Sequence, residues 1–252
     1  MGETRIQEED FDAYAVFGDD YRYFSEIGLT SQRNAIEAEV IQRVLALEDH
    51  ASILDVACGD GRIAAELSLR GFKVTGIDLM PACISSAQSR ATELGLNTEF
   101  CVDDMRLFNP NMKFDAAIMW FASFGYFGDQ VNLQVLRRVV DAVRPGGKVL
   151  IEQPSRAWLL QNWNPVGLIE REGNLLIEER EYDALTERSR VMRTVVRDRR
   201  ITRSEYSVRL YGVPEMTNLF ELANLENYKA CDETGVAFTG ASKRLLSVGV
   251  RK

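Results

Sequence analysis

One histidine in 252 residues leaves several chemistries without their reagent. No HExxH zinc helix can be written, and a Ser/His/Asp triad would have to recruit His50 from a stretch that reads as a loop. The four cysteines, Cys58, Cys83, Cys101 and Cys231, are scattered and form no CxxC pair. Neither a zinc site nor a disulfide framework is suggested, and reduced thiols are expected. No apolar run reaches the ~18 residues of a membrane-spanning helix. Met1 to Asp10 is acidic and polar, without the apolar centre of a signal peptide. A cytoplasmic protein with no membrane contact is therefore expected. Its net charge of −8 argues against a nucleic-acid partner, because phosphate contacts need clustered Lys and Arg. Arg188, Arg190, Arg193, Arg197, Arg199, Arg200 and Arg203 do lie close together, but they alternate with apolar residues and follow acidic Glu178 to Glu181. Pairing of charges across adjacent strands accounts for them better than a phosphate-binding surface does.

What remains is an ordinary globular composition, 46% hydrophobic and 27% charged, long enough for one large domain with a modest insertion. From Ser52 to Glu152 short apolar runs alternate with helical patterns, as a parallel sheet with crossover helices requires. Strands are expected at Ile53–Val56, Lys73–Ile77, Thr98–Val102, Ala116–Trp120 and Lys148–Glu152. Val131, Val135, Leu136, Val139, Val140 and Val143 mark the apolar stripe of a helix that the Arg144-Pro145-Gly146-Gly147 turn should stop. After Glu152 the pattern changes. A short helix from Trp158 and a break at Pro165 precede three strand-like segments near Leu175–Glu181, Ser189–Arg197 and Arg203–Leu210, an antiparallel meander. Pro214 then suits the first turn of a helix, and strands at Asn227–Cys231 and Arg244–Val250 finish the chain.

The segment that carries most chemistry is Ile53-Leu54-Asp55-Val56-Ala57-Cys58-Gly59-Asp60-Gly61-Arg62. A strand runs into an acidic residue and a glycine turn, then a helix begins, and glycines there let backbone approach a ligand. Asp78 ends the next strand, where a carboxylate can accept both hydroxyl protons of a ribose. The same carboxylate could instead cap the helix after Pro81.

DVACGDGR, VTGIDLM, CVDDMRLF, FDAAIMWFASFGYF and VRPGGKVLIEQP, in this order across residues 52–154, resemble the successive motifs of class I S-adenosylmethionine-dependent methyltransferases. The layout is similar to that of glycine and amino-sugar N-methyltransferases. The resemblance implies an α/β fold, a Rossmann-like seven-stranded mostly parallel sheet with helices on both faces and a small antiparallel β lid inserted after the fifth strand. It divides the chain into a cover segment (1–30), a methyltransferase domain (31–154 and 213–252) and a lid (155–212). Asp55, Ala57, Cys58, Gly59 and Gly61 would form the loop around the methionine end of S-adenosylmethionine. Ala57 replaces a common glycine, which is tolerable where φ is negative. Asp78 would take the ribose, with Leu79 and Met80 flanking the adenine. Asp104 and the Met105 amide would read the adenine edge, with Asp103 as the alternative. Trp120 and Phe121 would stand where cofactor and acceptor meet.

Methyl transfer is an in-line displacement that depends on alignment and desolvation, which suits a closed aromatic pocket. Phe11 to Phe24 is rich in rings, and in similar proteins such a segment folds over the cofactor with a tyrosine hydroxyl toward the methyl. Tyr21 or Tyr23 is the expected residue, with Tyr14 behind them; the alternative is that these rings only cover the sheet edge. Arg209 and Tyr211 resemble a lid motif facing the site, where Arg209 could hold a substrate carboxylate. No general base declares itself beyond Glu152 or a lid carboxylate, which favours an amine over a hydroxyl acceptor. A small-molecule acceptor is expected, and a homodimer is open. Competing readings are a peptide methyltransferase, a non-catalytic cofactor-binding subunit, and a nicotinamide oxidoreductase, whose G-x-G-x-x-G spacing would here need alanine at Ala64.

Overall fold

Three short to medium helices precede the first strand in the computed structural model, which describes residues 11–252. They are α1 (Ala13–Val16), α2 (Asp19–Ser25) and α3 (Ser31–Leu45). Thr30 starts α3 by accepting a hydrogen bond from the Arg33 amide at 3.2 Å, and Ala46, at φ 44°, ends it. Of the expected cover segment, Ala13–Val16 and Asp19–Ser25 are helical, and residues 1–10 lie outside the described residues.

The alternating region folds as anticipated: β1 (Ser52–Val56), α4 (Arg62–Leu69), β2 (Lys73–Asp78), α5 (Pro81–Glu93), β3 (Glu99–Val102), β4 (Phe114–Met119), α6 (Asp129–Ala142) and β5 (Val143–Pro154). Trp120 drops out of the expected fourth strand because Phe121 and Ala122 turn into the left-handed region, at φ 63° and 57°. The Pro145-Gly146-Gly147 segment lies inside β5, where the pairing jumps from Phe114–Val143 to Ala116–Lys148. Then come α7 (Arg156–Gln161), β6 (Val166–Arg171), β7 (Asn174–Asp183), β8 (Arg188–Arg197), β9 (Arg200–Arg209), α8 (Val213–Leu222), β10 (Leu225–Cys231) and β11 (Arg244–Arg251).

The main sheet has seven strands in the order β10-β11-β5-β4-β1-β2-β3. Only β11 runs against its neighbours. Strand order reverses between β1 and β4, so the crossovers leave on opposite faces and open a crevice at the carboxyl ends. Alternation along β4 shows both faces buried. Ala116 and Ile118 pack with Ile41, Leu45, Ile63 and Leu67, while Ala117 and Met119 pack with Val135, Val139, Met216 and Phe220.

The second sheet is antiparallel, β6-β7-β8-β9. It has four strands where the sequence suggested three. Strand β6 escaped notice because it is an edge strand with most side chains exposed, so no period-two burial pattern is imposed on Val166–Arg171. Two-residue turns join β6 to β7 at Glu172-Gly173 and β8 to β9 at Asp198-Arg199, all four with positive φ, as type I′ hairpins require. Of the clustered arginines, three pair with acids: Arg193 with Glu178 at 2.8 Å, Arg197 with Asp20 at 3.2 Å and Arg190 with Asp183 at 3.9 Å. Phe24 of α2 docks on this sheet against Leu176 and Val195. No helix among the described residues is long and apolar enough to cross a membrane.

Gly61 tests the packing of the first crossover. It stands at φ 72°, and a Cβ there would meet the Ala87 methyl and the Phe100 ring, each at 2.8 Å. Gly61→Ala is expected to cost about 1–3 kcal/mol through overpacking and to lower the thermal midpoint by several degrees. An unchanged melting curve would contradict this.

Candidate functional site

The carboxyl ends of β1 to β4 border a cavity of about 770 Å³, roofed by residues of α1 and α2. Asp55, Ala57, Cys58, Gly59, Asp78, Leu79, Met80, Asp103, Asp104, Met105, Trp120 and Phe121 all line it. Gly61 does not, since its task is the helix–strand contact described above. Behind β1 the chain turns through Ala57 and Gly59, at φ 59° and 58°. The positive φ at Ala57 departs from the negative value at which alanine is readily tolerated there, and places about 1 kcal/mol or more of strain at the cavity wall. A Cβ on Gly59 would meet no protein atom within 4 Å, so its backbone is open to the cavity.

Asp78 is strapped across this loop. One carboxylate oxygen accepts from the Gly59 amide at 2.8 Å and the other from the Met80 amide at 2.9 Å. Burial raises its pKa, opposed by these two N–H groups. Each oxygen keeps a lone pair for a further donor. Of the neighbouring acids, Asp104 has both oxygens engaged by Arg106, at 2.6–3.0 Å. Asp103 accepts from the Asp104 amide through Oδ1 alone, which leaves it the freer carboxylate.

Asp55 is 2% exposed, and its carboxylate accepts no hydrogen bond among the described residues. Burial pushes its pKa up to about 7, against the pull of Arg62. Arg62 is also buried and lines the cavity, donating through Nη1 to Asn34 at 2.9 Å and Glu37 at 2.6 Å. Burial works against the Glu37 charge, but Arg62, Arg33 and the Trp120 indole N–H, at 2.9 Å, outweigh it and hold its pKa low. Two buried polar atoms of residues that border the cavity lack a partner among the described residues, Arg62 Nη2 and Ser123 Oγ.

The three expected tyrosines part company. Tyr14 is exposed, outside the cavity lining, with its hydroxyl 3.4 Å from the Leu79 carbonyl. Tyr23 borders the cavity, but its hydroxyl donates toward the Arg171 carbonyl and Glu172 and accepts from Asn174, at 3.0–3.1 Å. Only Tyr21 keeps its hydroxyl free of such ties, with its ring edge-on to Phe17 and the Arg193 guanidinium 5.2 Å away. Tyr126, a ring of the FDAAIMWFASFGYF motif, lines the cavity beside it and stacks on Phe11 at 4.5 Å. Burial raises the pKa of both phenols, which keeps them protonated.

Arg209 and Tyr211 do not line the cavity. Arg209 pairs with Glu215 at 2.5 Å, and the Tyr211 hydroxyl donates to Asp129 at 2.6 Å while accepting from Asn132 at 3.0 Å. They are thereby used up in joining the end of β9 to α6 and α8, which corrects the expectation of a substrate clamp. Glu152 is likewise committed, accepting from the Ala122 amide at 3.1 Å and facing Arg244 at 3.2 Å. His50 precedes β1 at the opposite edge of the sheet, 3.1 Å from the Gly71 carbonyl. Among residues given no role in the sequence reading, Arg62 directly follows the glycine turn and Ser123 lies in FASFGYF; Asn34 and Glu37 carry no sequence signal.

Residues 53–147 match the family described as a methyltransferase domain. A ubiquinone biosynthesis O-methyltransferase from Chromobacterium violaceum is 33% identical over 125 residues, 45% of this chain and 52% of that protein. A dTDP-3-amino-3,6-dideoxy-alpha-D-glucopyranose N,N-dimethyltransferase from Streptomyces fradiae is 32% identical over 116 residues, 46% of this chain and 43% of that protein. The chain thus spans about half the length of these relatives. Across nearly the whole chain, the fold is that of an S-adenosylmethionine-dependent methyltransferase from Clostridium acetobutylicum, with a TM-score of 0.77 at 18% identity, covering 95% of this chain and 99% of that one.

The raised pKa of Asp55 has a consequence for stability. Its folded-state value lies above the unfolded one, so folding takes up a proton between about pH 4 and 7. The stability it contributes falls as pH rises through that window and levels off above it. Asp55→Asn should therefore gain thermal stability over the wild type, and the gain should be larger at pH 8 than at pH 5. Equal differences at the two pH values would refute the buried, protonated carboxyl.

Proposed function

We propose that this chain, which matches the methyltransferase-domain family over residues 53–147 and has the fold of S-adenosylmethionine-dependent methyltransferases, moves a methyl group from S-adenosylmethionine to a nitrogen or oxygen of a small molecule. The observation that carries the reading is the Asp78 carboxylate, anchored by two backbone amides beside a Gly59 backbone open to the cavity. This is the arrangement a ribose and its attached chain require.

The residues present fit that cofactor. Asp78 would accept the ribose hydroxyls, Leu79 and Met80 would flank the adenine, and Asp103 or Asp104 with the Met105 amide would read its edge. Asp55 would face the ammonium group, whose charge would bring the carboxyl back to its ionised form. Bound there, S-adenosylmethionine would supply a methyl group on a positively charged sulfur. Phe17, Tyr21, Tyr126 and Phe127 would exclude water from it and hold the acceptor in line, an alignment worth about 7–11 kcal/mol of barrier. The proposed division of labour makes 31–154 and 213–252 the cofactor domain, 155–212 the lid and 1–30 the cover.

An amine acceptor is favoured over a hydroxyl. No histidine lines the cavity, Glu152 is committed elsewhere, and Tyr21 and Tyr126 are phenols whose raised pKa makes them donors, not bases. An amine that binds neutral needs no base for its attack. The aminosugar dimethyltransferase among the relatives supports this; the ubiquinone O-methyltransferase is the counterexample.

Calorimetric titration with S-adenosylhomocysteine tests the site. Wild-type protein should bind it, and Asp78→Ala should weaken binding by about 2 kcal/mol or more through loss of hydrogen bonds to a charged acceptor. Because Asp78 also braces Gly59 and Met80, Asp78→Asn is the companion variant, and it too should bind more weakly. Undiminished affinity in both variants would remove Asp78 from the site.

A further inference from the structure

We propose that α1, with Phe11 ahead of it, is a gate that lifts away from α5 to admit the nucleoside end of the cofactor, while α2 stays docked on the antiparallel sheet; this rests on the cofactor reading given above. The residues assigned to the adenine are the ones α1 covers. Ala13 packs with Met80 and Cys83, which leaves all three 6–8% exposed, and Phe11, Phe17 and Leu79 close around them. An adenine laid against Leu79 and Met80 therefore takes the place of contacts that α1 makes. Phe11 also rests on Tyr126, at 4.5 Å, a stacking contact that one aromatic ring can exchange for another.

The two sides of the cover are held unequally. Toward the antiparallel sheet, the Val16 carbonyl accepts from buried Arg193 at 2.7 Å, and Asp20 takes Arg197 at 3.2 Å and Thr202 at 3.1 Å. Phe24 is 1% exposed against Leu176 and Val195, and the Arg171 and Arg197 guanidiniums stand 4.3 and 4.1 Å from the Tyr23 ring. Toward the cofactor domain, the exposed Tyr14 hydroxyl donates to the Leu79 carbonyl at 3.4 Å. Arg22 donates to the Ala82 carbonyl at 3.4 Å and to Ser86 at 3.1 Å. These bonds are long and open to water, which competes for both ends, so this seam parts before the other. Arg193 fixes Val16, the last residue of α1, so the pivot lies there and the turn before it moves. A helix of four residues without a charged side chain has little stability of its own and follows its contacts.

Cys83 is a built-in reporter, because α1 covers it and burial pushes its thiol up to about 11. Alkylation by N-ethylmaleimide, followed at Cys83 by peptide mass spectrometry, reads how often the gate opens. Saturating S-adenosylhomocysteine should slow this labelling at least about tenfold in the wild type. Without ligand, Tyr14→Phe/Arg22→Gln should speed it about three- to tenfold, through the loss of exposed hydrogen bonds. Unchanged labelling in that variant overturns the gate. A second arm closes it: Ala13→Cys gives Cys83 a partner, and oxidation should join the two, as a count of free thiols checks. The joined protein should take up S-adenosylhomocysteine at least about tenfold more slowly in stopped-flow fluorescence, and dithiothreitol should restore the rate. Wild-type association rates in the joined protein overturn the gate and leave the cofactor reading intact. Wild-type protein that binds no S-adenosylhomocysteine overturns both.

Discussion

Glu37 holds together four parts of the molecule that are far apart in sequence. From one turn of α3 it accepts from Arg33 on its own helix, Arg62 at the head of α4 and the Trp120 indole at the end of β4, and it faces Arg244 at the start of β11. A carboxylate this buried is costly unless its partners are in place, and then removing any one of them leaves a charge stranded. The network therefore fixes where α3 lies on the sheet. It also fixes one wall of the cavity, because Trp120 and Phe121 follow directly from it. Phe121 carries three guanidiniums near its ring, those of Arg33, Arg62 and Arg244, at 5.0–5.4 Å.

Backbone strain gathers where this wall meets the cavity. Ala57, Phe121 and Ala122 are non-glycine residues in the left-handed region, all at the carboxyl ends of neighbouring strands β1 and β4. Each such residue costs of order 1–3 kcal/mol and persists only where its surroundings over-determine it. Here the surroundings are visible: the Glu152 carboxylate receives the Ala122 amide, and Asp78 receives that of Gly59. Buried acids thus serve as braces for loops that open backbone toward the cavity.

The cover and the antiparallel sheet are tied into one roof. Arg193 reaches the Val16 carbonyl at 2.7 Å, Asp20 binds Arg197 and Thr202, Tyr23 is held by the hairpin between β6 and β7, and Phe24 is buried against Leu176 and Val195. Arg209 and Tyr211 secure the other end of that sheet to α6 and α8. Part of the positive charge of the basic strands is used here, on Asp20 of the cover by Arg197 and on Glu178 of the next strand by Arg193.

The strands, the crossover helices and the loops bearing Gly59, Asp78, Asp103 and Asp104 were legible in the sequence. They depend on local rules: apolar period, helix-opening prolines, and glycine where backbone must turn or approach a ligand. The arginine-rich stretch was legible in part: Arg190 and Arg193 pair with acids of the adjacent strand, as expected, while Arg197 turns to Asp20 of α2. Strand β6 was not, as an edge strand buries too little to impose a pattern. The assignment of tyrosines, and the removal of Arg209 and Tyr211 from the cavity, came only with the tertiary structure. A hydroxyl or guanidinium is available to a ligand only if no nearby group has already taken it, and those groups, Asn174 for Tyr23 or Glu215 for Arg209, are set by packing. The buried contact of Glu37 with Arg62 and Trp120 joins residues 25 and 83 positions apart, a coincidence in space that no local pattern encodes.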